Sequence, residues 1–413
     1  MSGMQTTHLW RRCRLLLALA AAALAAAACG GNGGVDTGGT GGASTTFSSG
    51  RISGFGSVIV NGVRFDDSSA TVRDDDDSPH LRDDLKLGMV VDIQSGDITP
   101  DSDGASVGIA SQIVFVSEIK GPVGTVNPTA GTLTVMGQSV HADANTVFAN
   151  VAGGLSSLQA GDPVEVFGFL DSVSNRFLAS RIEKKTDLAT YKLRGRVANL
   201  DTLNKTFRLS TATISYASID SAQVPVLNNG QLVHVKLQTT VVNGVWTATK
   251  LSASARHVPD RARTEIEGFV TDFVSAASFK VNGVAVDAGG TRGAGVVFRD
   301  GTAAQLANGV RVEVKGTMSG DTLVAARVSF DDSGHGGGGH GDLEIELHGA
   351  MSSVMSGSGT FLLRGLTVHY DGSTVLERGT TASIRNGARV KVKATLISGS
   401  SDVQATKIEF RAD

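Results

Sequence analysis

Apolar and polar residues alternate along most of this chain with the period of two that marks a strand buried on one face. Val164-Glu165-Val166-Phe167, Val233-His234-Val235-Lys236, Val312-Glu313-Val314-Lys315 and Val390-Lys391-Val392-Lys393 all carry it. Turn signals separate such runs. Val60-Asn61-Gly62-Val63 and Val281-Asn282-Gly283-Val284 place Asn-Gly between apolar residues, which predicts two-residue hairpins because both turn residues accept positive φ. Met136-Gly137 and Arg364-Gly365 stand in the corresponding place elsewhere, and Val242-Asn243-Gly244-Val245 adds a later hairpin. No amphipathic helix is predicted after the first thirty residues; 301–306 makes a turn of helix at most.

The strands are organised in a repeat of about seventy to eighty residues, the signature of one structural unit used several times. Its middle anchor, Gly-x-x-Val-x-(Val/Ile), begins at Gly88, Gly161, Gly230, Gly309 and Gly387. A Gly-x-(Val/Ile/Met) precedes each, at Gly50, Gly121, Gly195, Gly268 and Gly349. An Ala-x-x-(Ile/Leu/Val) follows each, at Ala110, Ala179, Ala248, Ala325 and Ala405. Each unit therefore reads as five or six short antiparallel strands. Closing so small a sheet removes its exposed edges, so the predicted fold is all-β, a tandem array of five small OB-like antiparallel barrels. The repeats are placed at 50–116, 118–185, 191–252, 264–330 and 343–413. Unequal joints predict beads of differing flexibility rather than a rigid rod, with a Gly/His linker at 331–342 between the last two.

The N-terminus is an address. Arg11, Arg12 and Arg14 precede an apolar stretch ending at Ala28, too short for a membrane span and of secretory type. Leu24-Ala25-Ala26-Ala27-Ala28-Cys29 resembles a bacterial lipobox, although Ala26 stands where such boxes carry Leu. The resemblance implies a lipoprotein signal peptide at 1–28, a lipid on Cys29 and attachment to the membrane through that acyl group. The alternative is an ordinary signal cut near an Ala-x-Ala, with Cys29 incidental. Cys13, the other cysteine, falls inside the removed segment, so thiol catalysis and cysteine-based zinc sites are excluded. Residues 29–49, rich in Gly, Ser and Thr, read as a flexible tether spanning roughly 25 Å. Gly30 lacks the Asp that retains enteric-type lipoproteins at the inner membrane, which points to the outer membrane.

Removing the signal takes away three arginines and no acid, moving the net charge from −3 to −6. An acidic chain with few stacking aromatics (Trp246, Tyr191, Tyr216 and Tyr370) is not a nucleic-acid binder. Behind the lipobox, the ordered Gly-x-Val, Asn-Gly, Gly-x-x-Val-x-Val and Ala-x-x-Ile anchors resemble bacterial lipoproteins built from the domain of unknown function 5666 family. The resemblance implies fold and export, and it brings no catalytic residue.

Candidate chemistry is sparse. His335 and His340 on their glycine linker, flanked by Asp331, Asp332 and Asp342, carry metal-ligand chemistry, but ordering so flexible a chain would oppose binding. Asp74–Asp77, with Asp66, Asp67, Asp83 and Asp84, reads as a solvated loop insertion, since no calcium-loop pattern is present and Asp101-Ser102-Asp103-Gly104 is only a fragment of one. His141 with Asp143 and His369 with Asp371 follow the same hairpin strand in two repeats and read as polar strand-face residues. We expect no catalytic residue, metal or cofactor. The expected function is a lipid-anchored envelope protein of binding or spacer modules, whose partner is a protein, peptide or glycan. The alternative is an envelope metal-binding protein or hydrolase using one specialised repeat.

Overall fold

The computed structural model describes residues 45–411 apart from 103, 172, 254–257, 291–294 and 331–342. The signal peptide, Cys29, the tether up to residue 44 and the linker carrying His335 and His340 lie outside the described residues.

The first repeat contains β1 (Thr46–Phe55), β2 (Val58–Val60), β3 (Val63–Asp66), β4 (Thr71–Asp74), β5 (Pro79–His80), β6 (Val90–Ser95), β7 (Thr99–Pro100) and β8 (Ser106–Phe115). β1 pairs antiparallel with β2 and β6, β2 with β3, and β6 with β8. β3 and then β4 run parallel to β8. The circuit β1-β2-β3-β8-β6 thus returns to β1 and closes a five-stranded OB-like barrel. The same circuit recurs over 119–184, 191–253, 263–330 and 345–410. One short 3₁₀ turn precedes the fourth long strand of each barrel, at 303–305 in the fourth, and no α-helix occurs among the described residues.

The three anchors have separate physical causes. In the middle motif all five glycines stand at φ between 81° and 91°, a backbone that favours glycine, just before the chain enters its fourth long strand. At Gly50 and Gly121 a Cβ would overlap the side chain of the hairpin residue above it, Asn61 or Met136. The motif alanines and the Ile113, Ile182, Leu251, Val328 and Ile408 that follow them are core residues.

β1 does more than close its own barrel. Its first half, Thr46 to Ser49, pairs in parallel with Arg263 to Ile266 of the fourth barrel, and Gly54 and Phe55 pair with Glu346 and Leu347 of the fifth. Residues 46–49 are therefore strand, not tether: all four are buried and Phe47 enters the fourth barrel's core. Their small polar side chains fit between two barrels, while backbone ladders on both sides satisfy the amides that solvent would otherwise serve.

The expected string of beads is corrected as well, since the five barrels form one compact unit. Barrels two and three share one hydrophobic core. Phe167 and Phe169, on a strand of barrel two whose Val164 and Val166 face inward, belong to the first barrel's core. Barrel two also meets barrel five, where the Phe148 N–H donates to the Ser400 carbonyl (3.1 Å) and the Leu343 N–H to Asn145 Oδ1 (2.8 Å). The first barrel is the hub, touching each of the other four.

Candidate functional site: a cleft where three barrels meet

A cleft of about 520 Å³ opens between barrels one, four and five. Its walls are the outward-facing residues of strands whose alternate positions fill the cores, which is why charged groups dominate it. Arg51 and Arg64 come from β1 and β3, with Asn61 from the turn between β2 and β3. Glu267 and Glu313 come from the fourth barrel, and Glu346 and Lys391 from the fifth.

Two carboxylates organise these walls. Glu267 accepts from the Arg51 backbone N–H (3.1 Å), lies 3.6 Å from Arg51 Nε and is ion-paired with Arg311. Burial presses its pKa upward, but Arg311 and Arg51 outweigh burial and hold it below the ordinary value. Arg311 in turn lies 5.1 Å from the centre of the Phe169 ring, which brings barrel two against the same cluster. Glu346 receives Arg64 Nε (3.1 Å), His348 Nε2 (2.7 Å) and Lys391 Nζ (2.8 Å). Those partners overcome its burial and lower its pKa to about 2. Glu313 differs. Burial and the nearby Glu265 and Glu267 push its pKa up, against the pull of Lys315 at 2.7 Å. The cleft thus offers paired charges, a turn amide and one carboxyl with a raised pKa, with Phe330 as apolar contact. That arrangement can hydrogen-bond a polar ligand at several points.

The acidic run is placed differently from its expectation. Asp74 Oδ1 accepts from the backbone N–H groups of Asp76 (3.0 Å) and Ser78 (2.9 Å), shaping a tight loop. Asp75 and Asp76 then dock on barrel three. Asp75 is ion-paired with Lys192 and lies 3.7 Å from His234 Nδ1, and Asp76 meets Lys236 (2.8 Å) and Lys250 (3.2 Å). Burial raises the Asp75 pKa despite Lys192, whereas the lysines bring Asp76 down to about 2. The solvated-loop reading fails for Asp75 and Asp76, whose partners lie more than a hundred residues away in sequence, and holds for Asp66, Asp77, Asp83 and Asp84, which are exposed.

The sign for Asp76 is fixed by that shift. A carboxyl whose folded pKa lies below its unfolded value stabilises the fold above the unfolded pKa and loses this as pH falls through the folded one. Asp76→Asn is therefore expected to lower stability by about 1 kcal/mol at pH 7. The difference from wild type should shrink as pH falls from about 4 to about 2, read from urea midpoints at each pH. A difference independent of pH would refute the ionic origin.

The remaining candidates among the described residues serve local structure. Asp101 accepts from the Ala105 N–H (2.9 Å) and pairs with Arg64 (3.0 Å), so it shapes a turn and braces the cleft. Asp143 and Asp371 accept from residues within their own turns: Asn145 and Thr146 for the first, Ser373 for the second. The hydroxyls of Thr146 and Thr374 then donate to the carbonyls of the motif residues Ala179 and Ala405, which explains the recurrence structurally. His369 pairs instead with Asp402 (3.3 Å). Among the described residues no group of three or more His, Cys, Asp or Glu is placed to hold a metal ion. Arg51, Arg64, Glu267 and Glu346 were not singled out from sequence; their contacts join residues 216 and 282 positions apart, and no local motif reports such pairs.

Closed five-stranded barrels in tandem, braced by charged seams, define the class of protein. The chain belongs to the family described as Domain of unknown function (DUF5666), which matches residues 120–183, 194–252, 267–329 and 348–409, the second to fifth barrels. The hub barrel lies outside the matched stretches, and its acidic loop, together with β1, grips its neighbours. No curated protein matches the chain. Three chains of solved structures match. One, described as drosophila Unr CSD456, is 15% identical, with 55% of this chain and 98% of that one covered, and its TM-score of 0.14 carries no argument.

Proposed function

We propose that this protein is a lipid-anchored, non-enzymatic binding protein of the bacterial envelope, held at the outer membrane by an acyl group on Cys29. Its partner is a protein, peptide or glycan that seats in the three-barrel cleft, not a nucleic acid. The observation carrying this reading is the convergence of Arg51, Arg64, Glu267, Glu313, Glu346 and Lys391 from three barrels on one cleft. A spacer needs reach, and five barrels packed into one unit supply little of it. Packing does fix the relative position of the three walls, which a binding site requires. The acyl anchor is supported by the basic n-region, the apolar stretch and the cysteine that follows it.

Two measurements test the two halves. Mass spectrometry of the membrane-extracted protein is expected to find an N-terminal peptide starting at acylated Cys29, and Cys29→Ala should move the protein to the soluble fraction. An unmodified N-terminus near Ala28 would remove the anchor. For the cleft, a photo-crosslinking amino acid at Ser329, on its wall, is expected to give a discrete adduct in living cells. The same probe at Lys205, an exposed turn residue of barrel three, should give none. Absence of any adduct at Ser329 would leave the cleft without a partner.

A further inference from the structure

The face of barrel three under the acidic loop is more basic than the same face of barrels two and four. Its strands Tyr191–Asp201, Leu232–Val242 and Val245–Ala253 turn Leu193, Val233, Val235 and Leu251 into the core. The alternate positions carry Lys192, His234, Lys236 and Lys250 outward. Where barrel three has His234, barrel two has Glu165 and barrel four Glu313. Lys120 of barrel two adjoins the cluster, since it pairs across the seam with Lys192. Among the described residues Asp75 and Asp76 meet Lys192, Lys236 and Lys250, Lys120 is paired with Glu165 (3.0 Å), and the Lys250 side chain remains 57% exposed. Positive charge is thus in excess on a chain whose net charge is negative. The two aspartates arrive from another barrel, on a loop carried by the two-residue β5. Burial of Asp75 opposes its ionisation, so docking is not wholly favourable for the loop itself.

We propose that this face is a binding site for a linear polyphosphate, a polyanion without bases, and that Asp75 and Asp76 occupy it as an internal substitute until the polymer displaces them. Lysine ammonium groups pair with carboxylate and phosphate oxygens alike. A polymer presents many such charges in a row, so it can engage Lys192, Lys236 and Lys250 together and extend to Lys120. The loop offers two. The site lies apart from the cleft and needs neither the acyl anchor nor the cleft's partner, so its fate is independent of theirs.

Fluorescently labelled inorganic polyphosphate and the purified full chain test the proposal by anisotropy. Asp75→Asn with Asp76→Asn is expected to tighten binding at least about tenfold, since apparent affinity scales with the fraction of unmasked site. Adding Lys192→Gln, Lys236→Gln and Lys250→Gln should abolish the gain. Binding should weaken steeply with salt, as counterion release requires. Orthophosphate at the same total phosphate should compete poorly; equal competition would assign the face to single anions and overturn the polymer. A folded loop variant that binds no better than wild type, or a gain that survives the lysine changes, would overturn the site itself. If the loop variant fails to fold, the wild type decides. Polyphosphate should speed amide exchange over residues 74–78, and unchanged exchange there would refute displacement.

Discussion

Glu118→Ala is expected to destabilise the protein by about 3–5 kcal/mol. Glu118 joins the first two barrels in sequence and receives both of its hydrogen bonds from Arg194 Nη1 of the third barrel, at 2.6 and 2.9 Å. The two side chains are only 2% and 4% exposed. Removing the carboxylate strands a guanidinium where water cannot reach it, and Arg194 Nε already lacks a hydrogen-bond partner. The physical origin is open to a direct check. Glu118→Met combined with Arg194→Met removes both charges and should recover most of the loss in guanidinium-chloride unfolding, because a well-packed apolar pair can replace a buried ion pair. A double variant as unstable as the single one would show that the pair contributes more than mutual compensation.

Phe167→Ala comes next, at about 3–5 kcal/mol for a fully buried phenylalanine. The location of the damage is the sharper expectation. Phe167 belongs by sequence to barrel two, yet its ring lies 6.4 Å from that of Phe115 and in the first barrel's core. Amide exchange should accordingly accelerate in β6 and β8 while the inner core around Val164 and Val166 keeps its protection. Loss of protection in barrel two with barrel one unchanged would contradict the assignment of Phe167 to its neighbour's core.

What the sequence disclosed, and what it concealed, divides by distance along the chain. Asn61-Gly62 and Asn282-Gly283 announce their turns because the φ angles they adopt, 50° to 86°, are a property of two residues. Barrel three closes the equivalent hairpin with Ser210 at φ 51°, and the sequence carries no Asn-Gly to announce it. The small closed barrel was legible for the same local reason, since each circuit lies within one repeat, whereas the parallel pairing that closes it, β3 on β8 in the first barrel, was not. Thr46 to Ser49 resembled tether because their burial is imposed by Arg263 to Ile266, not by any apolar pattern of their own. Asp74–Asp77 looked solvated until Lys192, Lys236 and Lys250 were brought to it. The cleft was invisible, because its first wall, around residues 51–64, lies some two hundred residues or more from the other two, and no local pattern reports that meeting.

β1 has a consequence for how the chain is made. β1, the first strand among the described residues, has two of its neighbours, around residues 263–266 and 346–347, far along the chain, and they leave the ribosome long after it. Until they arrive, the outer edge of β1 offers unsatisfied amides and carbonyls to any strand that passes, its own copies included. Partners so distant in sequence make for slow closure. Truncating the chain from its C-terminus therefore uncovers its N-terminus, so that a fragment of intact early barrels is born with an adhesive flank.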